Sequence, residues 1–174
     1  IPAFAGIARS LGATPVQMQQ TLSAYLFGFA LLNLFHGALS DSVGRRPVIL
    51  VTIALSAFSY LLFAHASTLL LLVASRMLTG AGSGNITAAQ AYITDITPPE
   101  GRAKAMGIIG AAFGLGFIFG PPMGSLIYTR FGVEWVGYLA AAICVLNFWA
   151  VWAFLPESIA RRDTGRSVRI APVT

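Results

Sequence analysis

The chain has 174 residues, of which 56% are hydrophobic and only 10% charged, with a mean hydropathy of +0.76; a soluble globular domain carries about 25% charged residues. The net charge of +5 does not make a nucleic-acid surface, which needs basic residues clustered on a soluble scaffold; here they lie in short gaps between apolar runs. One cysteine, Cys144, leaves no disulfide framework and no cysteine-rich metal site.

A helix needs about 20 apolar residues to cross a bilayer, and five runs qualify: residues 20–40, 48–64, 69–91, 105–129 and 135–155. The alternation of a membrane β-barrel is missing, so the expected fold is all-α, a polytopic helical membrane protein. Arg45 and Arg46, then Arg102 and Lys104, then Arg161, Arg162, Arg166 and Arg169 fill every second gap, while the intervening gaps hold only Arg9 and Arg130. The positive-inside rule makes the basic side cytoplasmic. Residues 1–158 therefore form the membrane bundle and residues 159–174 a basic cytoplasmic linker. The start has no initiating Met and no signal-peptide pattern, and residues 1–8 are too short to cross. They read as the tail end of an earlier helix, and the chain as a fragment.

The first span carries Tyr25 and Asn33 and ends in GALSDSVGRRP, Gly37 to Pro47. Asp41 near a helix C-terminus opposes the macrodipole, so it calls for a cation or the N-terminus of another helix. Gly44 permits a reversal with positive φ, Pro47 suits a first helical turn, and Gly37 lets a neighbour approach. The plainer alternative, a turn that is basic merely to fix topology, explains the arginines but not the acid or the glycine spacing. The stretch resembles the loop between helices two and three of the major facilitator superfamily, G-x-x-x-D-x-x-G-R-R/K, with Gly37, Asp41, Gly44, Arg45 and Arg46 matching. That resemblance implies a latch that favours the outward-open state. It identifies the five spans as family helices two to six of the N-terminal bundle, without the first helix.

The third span holds Arg76 about 10 Å from its start at 1.5 Å per residue, at an insertion cost of about 2.5–3.5 kcal/mol unless the side chain snorkels to the headgroups. Helical steps from Arg76 reach Gly80, Ser83, Thr87 and Gln90, a small and polar face turned to water or substrate, while Asn85 lies opposite and bonds a neighbouring helix. RMLTGAG resembles the superfamily's helix-four motif R-x-x-x-G-x-G, which implies a part in proton transfer for Arg76. The acid it would act on is not visible in these spans. After this span comes YITDITPPEGRAKAMG, similar to the matching loop of tetracycline-efflux transporters. Asp95 within it lies on the side of Arg45 and Arg46, so a salt-bridge cluster is expected among the three.

The fourth span reads GIIGAAFGLGFIFGPPMGS. Gly116, Gly120 and Gly124 recur every four residues, a strip for close backbone packing, and Pro121 and Pro122 predict a kink or an early end. The spacing resembles the helix-five antiporter motif G-x8-G-x3-G-P-x2-G-G. Gly107, Gly116, Gly120, Pro121 and Gly124 match, and Ser125 replaces the last glycine. LPES at 155–158 resembles the end of helix six in tetracycline-efflux transporters, and residues 1–31 resemble bicyclomycin-resistance transporters.

These resemblances imply part of a proton-driven drug efflux antiporter of the cell membrane, working by alternating access between two bundles. Tyr25, Asn33, Arg76, Thr87 and Phe113 are its candidate cavity residues, although Tyr25 and Phe113 serve equally as packing or lipid-facing aromatics. Its expected partners are a drug-like small molecule, protons, the bilayer, and the missing first helix and C-terminal half. Its energy source is the proton gradient, and no cofactor, metal or nucleic acid is expected. A sugar or metabolite symporter or uniporter is the first alternative, and a non-transporting truncated membrane protein the second. An enzyme is not expected: His36 and His65 fall at opposite ends of spans, and Cys144 lies mid-span with neither acid nor histidine beside it in sequence.

Overall fold

The computed structural model describes residues 2–156. The end of LPES and the expected linker, with Arg161, Arg162, Arg166 and Arg169, lie outside the described residues. Seven helices follow in order: α1 Pro2–Ser10, α2 Pro15–Val43, α3 Arg45–Ala64, α4 Leu69–Gly82, α5 Asn85–Ile96, α6 Arg102–Phe131 and α7 Val133–Phe154. A single 3₁₀ turn, Pro99–Gly101, precedes α6. Among the described residues, five stretches are long and apolar enough to cross a membrane: α2, α3, α4 with α5, α6, and α7.

Local chemistry sets most of the ends. Thr14 opens α2 with a reciprocal cap, its Oγ1 accepting from Gln17 N at 3.2 Å while its own N–H donates to Gln17 Oε1 at 2.8 Å. Pro15 follows at the first helical position. Gly44 joins α2 to α3 at φ +119° and Gly132 joins α6 to α7 at φ +95°, conformations that a residue with a Cβ avoids.

Two expectations about span interiors change. The run expected at 69–91 is broken at Ser83–Gly84 and continues to Ile96. Gly80, Gly82 and Gly84 hold a helix poorly. Ser83 adds to this by spending its hydroxyl on the Thr79 carbonyl at 2.9 Å, a bond that bends helices. The early end expected at Pro121 and Pro122 does not occur, since α6 runs through both to Phe131. Spanning helices tolerate proline where neighbouring helices, side chains or local helix adjustments re-satisfy the freed carbonyls.

α3 lies at the centre, against α4, α5 and α7, while α2 packs chiefly on α4 and α6 touches its neighbours lightly. The apolar core joins Val48, Ile49 and Ile53 of α3 to Ala88 and Tyr92 of α5, with Cys144 and Phe148 of α7 packed on it. Elsewhere the interior sets Met18 and Leu72 among many small and hydroxyl residues: Ser40, Ser59 and Ser75 are wholly buried while Phe117 is 77% exposed. That inversion suits a lipid solvent, in which close approach and interhelical hydrogen bonds replace the hydrophobic effect as the glue.

Candidate functional site

Three groups of polar residues emerge from this packing. At the basic end, Arg45 begins α3 directly after the Gly44 reversal. Its Nη1 pairs with Asp41 Oδ1 at 2.6 Å and its Nε with Asp95 Oδ2 at 3.0 Å, and Nη1 also donates to Ser40 Oγ at 2.6 Å. One guanidinium thus ties the foot of α2 to the end of α5. Its side chain is only 12% exposed, so these bonds are partly shielded from water. Arg46 turns the other way and donates through Nη2 to the Trp152 carbonyl at 2.6 Å, near the end of α7. Among the described residues, then, the expected cluster has Arg45 as its hub, holding both acids, while Arg46 anchors a different helix.

This arrangement makes a measurable prediction. Arg45→Gln leaves Asp41 and Asp95 without their shared cation, whereas Asp95→Asn removes only one arm. Thermal unfolding of the two single variants and the double variant is expected to show a coupling of about 1 kcal/mol. Simple additivity would show that the contact carries no energy.

The second group is a polar seam where α2 crosses the α4–α5 break. The Tyr25 hydroxyl meets Ser83 Oγ at 3.3 Å, and since Ser83 donates to its own helix, Tyr25 is the donor. Thr87 Oγ1 donates to Asn33 Oδ1 at 2.9 Å. The backbones press together beside these bonds: a Cβ at Gly80 would run into Tyr25 O, and one at Gly28 into Met77 O. Tyr25, Asn33 and Thr87 are thereby brought together with the Gly80–Ser83 face, in contact with α2. Arg76 stands apart, with its guanidinium carbon 4.5 Å from the centroid of the Phe63 ring on α3, a cation–π geometry.

The third group lines a cavity of about 460 Å³ between α3, α5, α6 and α7, within the size range of small-molecule sites. Its walls are apolar, Ile53, Ile93 and Phe113 among them, with the amides of Asn85, Gln90 and Asn147 spaced around it. Phe113 is therefore separated from the other aromatic candidate, Tyr25. Asn85, expected to bond a neighbouring helix, faces this space. Asn147 was missed by sequence reasoning; an amide in the middle of an otherwise apolar α7 was the available signal.

The remaining motif is the glycine strip. A Cβ at Gly107, Gly116, Gly120 or Gly124 would meet nothing within 4 Å, and the same holds for Gly37. The face carrying Gly116 and Gly120 is open, so no described residue packs closely on it.

The sequence profile described as Major Facilitator Superfamily matches residues 1–173. The chain is 37% identical over 134 residues to major facilitator superfamily domain-containing protein 10 of Bos taurus, covering 77% of this chain and 28% of that protein. It is 41% identical over 91 residues to the class C tetracycline resistance protein of Escherichia coli, covering 52% and 23%. Against a bicyclomycin resistance protein homolog of Haemophilus influenzae it is 28% identical, covering 91% and 40%. The crystal structure of the human organic anion transporter MFSD10 (TETRAN) superposes with a TM-score of 0.67 at 32% identity, covering 90% of this chain and 38% of that one. The chain thus spans between about a quarter and two fifths of the length of these relatives.

Proposed function

Because the chain belongs to the major facilitator superfamily, we propose that it forms part of the N-terminal bundle of a proton-driven antiporter that exports drug-like small molecules. The observation that carries this reading is the spacing of Gly107, Gly116, Gly120, Pro121 and Gly124 on α6. Relatives named for tetracycline and bicyclomycin resistance support it. The open face of the glycine strip then receives a helix of the other bundle, since glycines let backbones approach closely in a bilayer. The basic end lies on the cytoplasmic side of the cell membrane, a reading supported by the charge asymmetry of the gaps. There Arg45, Asp41 and Asp95 act as a latch whose breakage accompanies the rocking of one bundle against the other.

A second reading rests on a separate observation. Arg76 is the basic residue set within a span, the described spans carry no acid well inside them, and one structural relative is named as an organic anion transporter. An anionic substrate would complement such a site.

Reconstitution of the complete protein in liposomes separates the two. Antiport predicts that an imposed proton gradient drives tetracycline-class or similar cationic or zwitterionic drugs against the proton flow. A protonophore then abolishes that transport. Drug flux indifferent to the protonophore would overturn proton coupling. Uptake of an organic anion with no proton counter-movement would favour the second reading.

A further inference from the structure

His36 lies one helical turn from both Asn33 and Ser40 on α2, on the face turned to the α4–α5 break. It is 8% exposed, and its Nδ1 is enclosed without a hydrogen-bond partner. The ring rests on Gly84, where a Cβ would strike Nδ1 and Cγ. A buried polar atom without a partner is uncommon in folded proteins and calls for a reason. Here it sits at the one place where the third span changes from α4 to α5.

We propose that His36 is a proton-binding site that controls the contact between α2 and the α4–α5 break. A neutral imidazole carries one N–H and so can leave Nδ1 bare, whereas a charged imidazole carries an N–H on both nitrogens. In this packing the second N–H has no acceptor. Binding a proton therefore rearranges the ring against Gly84, and because Gly84 has no side chain the adjustment passes directly to the backbone of the break. Two bonds bracket the site, Thr87 to Asn33 on one side and Arg45 to Ser40 on the other, so a movement of α2 here reaches both the polar seam and the ion pair at the basic end.

The ionisable groups on the surrounding elements are Tyr25 and Asp41 on α2, Arg45, Arg46 and Tyr60 on α3, Arg76 on α4, and Tyr92 and Asp95 on α5. None of them bonds Nδ1. His65 contrasts with His36. It is exposed, and both of its nitrogens are engaged, Nδ1 with the Leu61 carbonyl at 2.9 Å and Nε2 with the Tyr138 hydroxyl at 3.3 Å. The inference is independent of the substrate and of the direction of transport, and its test needs neither.

The test is a distance measurement on the complete protein in nanodiscs. Spin labels at Ser42 and Ile96, both exposed, report the separation of α2 from α5 in a background whose native cysteines are replaced. The expected result is a change in the distance distribution as the pH is lowered from alkaline to acidic. That change disappears in His36→Gln and persists in His65→Gln. His36→Phe, a flat ring without a proton site, is the second variant should glutamine disturb folding. It should hold the high-pH distance throughout. A pH-independent distance in the parent protein, or an unchanged response in both His36 variants, overturns the proposal.

Discussion

Gly80→Val is expected to lose most of its folded yield, with the surviving protein melting well below the parent. A Cβ at position 80 would collide with the Tyr25 carbonyl oxygen and lie 2.9 Å from Phe29 N and 3.0 Å from Tyr25 C. All three are backbone atoms of α2, so no side chain can rotate away to make room. Overpacking of an interior costs about 1–3 kcal/mol, and a clash with a rigid helix backbone belongs at the upper end of that range. Gly28 faces Met77 O from the other side of the same crossing. Gly28→Ala and Gly80→Ala both separate α2 from α4, so their combined cost should fall short of the sum. Detergent-solubilised full-length protein, followed by the temperature at which its monodisperse fraction is lost, provides the measurement. A Gly80→Val protein with the parent's melting behaviour would show that α2 and α4 do not meet at these glycines.

How much of this was readable beforehand differs between the ends of the helices and their faces. The reversal at Gly44 and the need of Asp41 for a cation follow from local rules, while Asp95 is placed near Arg45 only by their sharing the basic side. A glycine at a sharp turn and an acid at an unfavourable helix end each state what they need. The five spans follow from apolar length in the same way. Faces are harder, because lipid and protein interior are equally apolar and hydropathy does not say which side of a spanning helix meets which. The Arg76–Gly80–Ser83–Thr87 face was expected to turn to water, yet its lower part meets α2 through Tyr25 and Asn33. Only the position of α2, some 50 residues earlier in the chain, decides that. The burial of His36 was unreadable for the same reason, since nothing near it in sequence names Gly84 as its neighbour. The break at Ser83–Gly84 is legible in the sequence: three glycines of low helix propensity stand at alternate positions after Thr79.

Under the antiporter reading proposed above, Arg76→Ala is expected to abolish proton-coupled efflux while leaving the amount of protein in the membrane unchanged or higher. The reasoning is a comparison of magnitudes. An arginine at this depth costs about 2.5–3.5 kcal/mol on insertion scales, and a cation–π contact returns about 0.5–2 kcal/mol. The Phe63 ring, 4.5 Å from the guanidinium carbon, therefore does not offset the whole cost. A residue kept at a net loss of stability is kept for another reason, as is usual for ionisable groups inside membranes. A fixed cation lowers the pKa of a carboxylic acid beside it, and the pKa rises again when the cation leaves; in the proposed antiporter this would be the part of Arg76 in loading and releasing a proton. Phe63→Leu should then be a partial variant, in which the guanidinium keeps its charge and loses its seat, so that transport slows but stays coupled. Arg76→Lys keeps a charge on a different head and should fall between alanine and the parent. Drug resistance of cells and proton movement in liposomes read coupling, and immunoblotting of membranes reads insertion. Full resistance in cells carrying Arg76→Ala would remove this role from Arg76. Loss of the protein from the membrane would instead make the Phe63 contact structural.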